Sequence, residues 1–173
     1  MDSTPTIGTD ILDSINSSDA RKILRILMER NKELKAEIRK IALEVLSDAN
    51  PEEIAVDVMQ ALDRIEVEEL WDRSGSKRYG YIDPSDESWV MFEETLLPFL
   101  STMTKYQKIG LTNEAKAYCV GIILGIQGFE ADSRSEFKDW AIDAPQHFIE
   151  EVFEKWKSGN PCEGDIAQVR AIL

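Results

Sequence analysis

Apolar positions along this chain recur every three or four residues almost from end to end, the period of a helix that buries one face. Leu24, Leu27 and Met28 open the pattern behind Ser18, a residue type that caps helices, and Leu34, Ile38, Ile41, Val45 and Leu46 continue it. Asn50-Pro51-Glu52-Glu53 is a strong start signal. The asparagine accepts from open amides, proline has no amide to leave unpaired, and the acids oppose the positive end of the helix dipole. Ile54, Val58, Ala61, Leu62 and Ile65 then share a face, and the helix extends or restarts through Val67, Leu70 and Trp71. Asp83-Pro84, followed by Asp86 and Glu87, starts a helix carrying Trp89, Phe92, Leu96, Leu97, Leu100 and Met103. Pro98 predicts a kink or a division there, because it removes an amide and clashes with the preceding turn.

Gly110 ends that helix, and Thr112 is placed to cap the next, through Ala115, Tyr118, Cys119, Ile122, Ile123 and Ile126. Ser133 or Ser135 precedes a short helix with Phe137, Trp140 and Ala141. Asp143-Ala144-Pro145 starts another, with Phe148, Ile149, Val152, Phe153 and Trp156, and Gly159-Asn160-Pro161 breaks it. A last short helix runs through Ile166, Val169 and Leu173. No run of alternating β-branched residues predicts a sheet. The fold class is all-α: roughly seven to nine helices packed as antiparallel hairpins, in a repeat-like array or an irregular bundle. The polar, Ser/Thr-rich residues 1–17 read as an N-terminal arm and 18–173 as one helical domain, with the 74–83 loop as the place for a sub-boundary.

Asp83 to Gly128 makes a helical hairpin of about 45 residues, the size of a HEAT or armadillo unit. Leu111-Thr112-Asn113-Glu114-Ala115 followed by Tyr118 is similar to part of a tetratricopeptide hairpin, without that consensus's spaced Trp, Leu-Gly and Pro. The chain resembles the broad class of α-helical repeat proteins. The resemblance implies stacked helix pairs and carries no functional residue.

Composition narrows the function classes. The 173 residues include 33 acidic and 20 basic side chains, for a formal net charge of −13. Such a field repels nucleic acid and anionic lipid. Asp19 to Asp48 is the exception, with eight basic residues against six acidic, leaving 27 acidic against 12 basic elsewhere. Two cysteines, Cys119 and Cys162, are too few for a disulfide framework or a thiolate zinc site. The opening Met-Asp-Ser-Thr-Pro lacks a basic stretch and an apolar run, and Tyr118–Ile126 is far short of the ~20 residues that span a bilayer. The expected location is cytoplasmic.

One stretch differs from the rest. Trp71, Tyr79, Tyr81 and Trp89 surround Arg73, Lys77 and Arg78 on a Gly/Ser-rich connection. Rings give contact area with few rotors to freeze, and guanidinium groups pair with carboxylates or phosphates. Arg73, Lys77, Arg78, Tyr79, Tyr81 and Trp89 are therefore the candidate binding residues. The competing reading makes the same rings a structural lid over a core edge.

Catalytic patterns are sparse. His147 is the lone histidine, so the paired Glu-x-x-His elements of di-iron bundles are missing. Asp143, His147, Glu150 and Glu151 share a helix face that offers mixed metal ligands, although acids recur at that spacing in any acidic chain. The pairs Glu52/Glu53, Glu68/Glu69, Glu93/Glu94 and Glu150/Glu151 read as solvated surface. Ser74-Gly75-Ser76-Lys77 lacks the spacing of a phosphate loop. Gly121-x-x-x-Gly125 leaves a groove for a neighbouring backbone, or for a ligand.

Leu24, Leu27, Asn31, Leu34, Ile38, Ile41 and Val45 fit a heptad, which admits a weak homodimer through 24–45. In a parallel pair Arg30 would face Lys35 of the other copy, so a break near Asn31 giving two helices in one chain is the simpler reading. The functional expectation is a non-catalytic protein-protein interaction or scaffold module, without enzyme activity, cofactor or metal. Its partner would be a protein or peptide, with no nucleic acid and no membrane. A ligand binder with an interhelical pocket beside Gly121 and Gly125 is the alternative, and a carboxylate-dependent enzyme the third.

Overall fold

The computed structural model describes residues 14–173. Eight α-helices and one two-stranded hairpin make up the regular structure among them. They are α1 (Ser17–Arg30), α2 (Lys32–Leu46), α3 (Pro51–Asp63), α4 (Val67–Arg73), β1 (Gly75–Lys77), β2 (Gly80–Ile82), α5 (Pro84–Ile109), α6 (Thr112–Asp132), α7 (Ala144–Lys157) and α8 (Glu163–Arg170), with a 3-10 turn at Glu136–Asp139. The all-α class is as the periodicity predicts. The N-terminal arm expected at 1–17 lies mostly outside the described residues.

The chain divides between Leu46 and Ser47 into two compact units. The 74–83 loop lies inside the second unit, Ser47–Leu173. That loop is short-circuited by strand pairing and by an ion-pair clamp, so it joins its neighbours instead of separating them.

In the first unit, α1 is capped by Asn16, whose side chain accepts from the amides of Ser18 and Asp19, each at 3.0 Å. The cap expected at Ser18 is therefore two residues earlier. Asn31 is extended (φ −137°, ψ 113°) and separates α1 from α2. Its backbone amide closes α1 on Leu27 O, while its side chain accepts from Glu33 N at 2.9 Å and Leu34 N at 3.1 Å. One residue ends a helix and caps the next, which is why the heptad breaks there. Neither helix of this unit buries a residue.

The second unit holds the core. Helix α6 is its centre: it packs chiefly on α3, then on α5 and α7, with α8 against it as well. A helix surrounded in this way must be apolar on most sides, and Ala115, Cys119, Ile122, Ile123, Ile126 and Phe129 are all buried. Ile54, Val58 and Leu62 of α3, Phe92, Leu96 and Met103 of α5, and Phe148, Val152 and Trp156 of α7 complete the core. The arrangement is an irregular bundle around one helix.

Start signals act as predicted where the cap side chain reaches the first turn. Asn50 accepts from Glu52 N at 2.9 Å, and Asp83 from Ser85 N at 2.9 Å. Helix α6 is a correction, since Leu111 sits at its cap position with no side-chain cap bond and Thr112 is already helical. Pro98 lies inside α5 without dividing it. The helix survives because the lost bond is one among many in 26 residues packed on α6. Gly110 ends α5 in the left-handed conformation (φ 82°), and Asn160 (φ 55°) makes the break after α7. Among the described residues no helix is long and apolar enough to cross a membrane.

Candidate functional site

The hairpin between α4 and α5 is the one place where strands form among the described residues, and periodicity did not foresee it. Three-residue strands are too short to show an alternation. Their register pairs Gly75 with Ile82, Ser76 with Tyr81 and Lys77 with Gly80, leaving Arg78 and Tyr79 at the turn. Glycine is required at both ends of the paired segment. Gly75 (φ 82°) and Gly80 (φ 141°) occupy backbone regions that side chains disfavour. Arg78 and Tyr79 keep ordinary negative φ values as a result.

The base of the hairpin is clamped by Arg73, the last residue of α4. Its Nε donates to Glu87 Oε1 at 2.7 Å, and its Nη1 donates to Glu94 Oε2 at 2.8 Å. Glu69 Oε1 stands 3.5 Å from the same Nη1. Glu87 and Glu94 lie seven residues apart, two turns along one face of α5, so a single guanidinium bridges them to α4. The hydrogen bond to Glu94, followed by the one to Glu87, holds the arginine even further above neutrality than usual, against a lowering by partial burial. The same bond holds the Glu94 carboxyl below the usual range. Arg73 was expected to meet a partner's carboxylates. It meets those of its own chain, because the chain reversal brings α5 alongside α4.

Trp89 also serves the interior. It is partly buried, with its ring centroid 5.0 Å from His147 and 6.0 Å from Phe148. Trp71 makes an edge-to-face contact with Trp140 at 4.7 Å while remaining half exposed. Ser88, fully buried, directs its hydroxyl to the carbonyls of Ser85 and Trp140, at 2.7 and 2.8 Å, which fixes the Trp140 segment to the start of α5. Neither Trp140 nor the Glu87/Glu94 pair was foreseen as part of this site. Trp140 is too distant in sequence to be linked to it, while the two glutamates are spaced to share a face and carried a readable signal.

What remains facing outward is the tip. Tyr79 is 92% exposed and Tyr81 69% exposed. The Arg78 guanidinium lies 5.7 Å from the Tyr79 ring centroid, within cation–π range, and makes no ion pair among the described residues. Lys77 donates to the carbonyl of Asp72, which steers its stem along the hairpin and leaves further ammonium hydrogens outward. Of the six candidate residues, four thus form an outward surface (Lys77, Arg78, Tyr79 and Tyr81). Arg73 and Trp89 hold it from behind.

The other candidate features have structural employment. The groove beside Gly121 and Gly125 is filled by α3: a Cβ on Gly121 would stand 2.6 Å from Ile54 Cβ and 2.8 Å from Pro51 O. No room for a ligand is left there. Among the described residues, no three His, Cys, Asp or Glu side chains converge as metal ligands. His147 has its Nε2 4.0 Å from Glu151 Oε2 and its ring against Trp89. Cys119 is buried, which pushes its thiol up to about 12 and suppresses the thiolate. Exposed Cys162 caps α8, accepting from Asp165 N at 3.4 Å. No family model, curated protein or solved structure matches the chain.

Proposed function

We propose that the chain is a non-catalytic interaction module that presents the Lys77–Tyr81 hairpin tip to a carboxylate-bearing segment of a protein or peptide partner. The carrying observation is the exposure of Tyr79 and Tyr81 beside a guanidinium that has no ion pair among the described residues. Large rings normally withdraw from water unless something else covers them. A two-residue turn on a clamped base loses little entropy when it binds, since the clamp and the strand pairing already order it. Tyrosine and arginine are also the residue types that dominate interface energetics.

The test compares wild type with K77E/R78E and Y79A/Y81A for capture from native lysate, with melting temperature as the control. All four side chains face outward, so each variant should change stability by under about 0.5 kcal/mol per site. A partner retained by wild type and lost by both variants at unchanged melting temperature supports the reading. Equal capture by all three proteins defeats it.

A further inference from the structure

Among the described residues, the first unit leaves much of an apolar seam open to solvent. Leu24, Leu27, Ile41 and Val45 are 44%, 40%, 51% and 74% exposed, and both α1 and α2 lack a single buried residue. Two amphipathic helices of this length do not form a stable core by themselves. Over residues 14–46 the unit has eight basic side chains against five acidic, so its flanking charges decide what can cover the seam.

We infer that the seam is covered by a second copy of this chain, with α1 of one copy lying antiparallel on α2 of the other. In the register that keeps the seam continuous, Leu24 opposes Ile41 of the second copy and Leu27 opposes Ile38, each pair occurring twice around a two-fold axis near Asn31. Antiparallel pairing also sets each flanking position against its own kind. Arg30 then meets Glu37 of the second copy, again twice, and Met28 meets Lys35. Neither Arg30 nor Glu37 has an ion pair within its own chain among the described residues. A parallel pairing would instead place Arg30 against Lys35 on both sides. Charge complementarity therefore selects the antiparallel arrangement, and a two-fold axis satisfies the same contact in both copies.

Asn31 lies beside the axis of such a pair. Its side-chain oxygen accepts from the amides of Glu33 and Leu34, and its Nδ2 hydrogens must keep water or a carbonyl of the second copy as acceptor when the seam is covered. The bend it imposes lies beside the axis, where both copies bend together. This association is separate from the hairpin contact, which lies in the second unit.

Sedimentation equilibrium of the full chain tests the inference. Wild type should dimerise reversibly below about 100 μM, the range of a weak homodimer. R30E and E37R should each weaken the dimer about tenfold, since two attractive pairs become repulsive, and R30E/E37R should return to within about threefold of wild type. Circular dichroism confirms that the exposed substitutions leave helicity intact. A second measurement is independent of charge: in a C162S background, L24C/I41C should oxidise to a covalent dimer and L24C alone should not. A wild-type monomer at about 100 μM overturns the inference. So does a tighter dimer in R30E, which is the signature of parallel pairing, or an L24C/I41C chain that stays uncrosslinked.

Discussion

The Cβ atom that Gly125 lacks would stand 2.6 Å from the Cβ of Val58 and 2.7 Å from the carbonyl oxygen of Ala55. Backbone approaches backbone at that point, and a carbonyl in a helix cannot swing aside as a flexible side chain can. Gly125→Ala should therefore destabilise the second unit by about 1–3 kcal/mol, despite the gain in helix propensity of about 1 kcal/mol. Gly128 is the control on the same helix. Its added Cβ would meet only the flexible Met59 side chain, Sδ at 3.3 Å and Cγ at 4.0 Å, so Gly128→Ala should be slightly stabilising. Chemical denaturation of the two variants should separate them in opposite directions, and equal midpoints would refute close packing as the reason for Gly125.

The Arg73 clamp makes a pH-dependent prediction. Hydrogen bonding to Arg73 depresses the Glu94 carboxyl below its ordinary value of 4.5. A depressed carboxylate stabilises the fold fully above its unfolded value, and the contribution is lost as pH falls through the folded value. Arginine titrates far outside this window and adds no slope. Arg73→Met should lower stability by about 1 kcal/mol at neutral pH, a figure reduced by the half-exposure of Glu94. The difference between wild type and variant should then shrink as pH falls below the ordinary carboxylate value of 4.5. A difference independent of pH would mean that the arginine contributes only through packing of its stem.

Gly80 isolates backbone strain from sterics. With φ at 141° and nothing within 4 Å of the position its Cβ would take, a side chain there meets open space but a disfavoured conformation. Gly80→Ala should destabilise the hairpin by about 1–3 kcal/mol. Because the core does not depend on the tip, the cost should appear as faster amide exchange over 75–82 with a nearly unchanged melting temperature. Unchanged exchange would show that the turn readily adopts another geometry.

The two thiols should differ in accessibility. Cys162 is exposed, while Cys119 is buried with its pKa raised to about 12 by that burial. A disulfide reagent at neutral pH should modify one thiol per native chain and two after denaturation. Rapid modification of both in the native state would mean that α6 opens to solvent.

Much of the helical frame was legible because its determinants are local. Asn50 and Asp83 reach amides two residues onward, and a break at Asn31 follows from a residue that can cap. The core faces of α3 and α7 repeat within a few turns. The errors are local too: Asn16 took the cap assigned to Ser18, accepting from the amides of Ser18 and Asp19 so that the helix begins two residues earlier. The hairpin was hidden because three-residue strands carry no periodicity, and only Gly75 and Gly80 mark them.

The sequence by itself determined the helix starts at Asn50 and Asp83, which faces are apolar, and that an aromatic-basic stretch joins α4 to α5. Tertiary structure decided which faces meet. The Gly121/Gly125 groove could be read from its spacing, yet only the packed chain assigns it to Ile54 and Val58 of α3. Arg73 and Arg78 are the same residue type five positions apart. One is held by Glu87 and Glu94, and the other stands over an exposed ring. Composition treats them alike; their roles diverge because the chain reversal brings α5 against the end of α4 and leaves the turn in water.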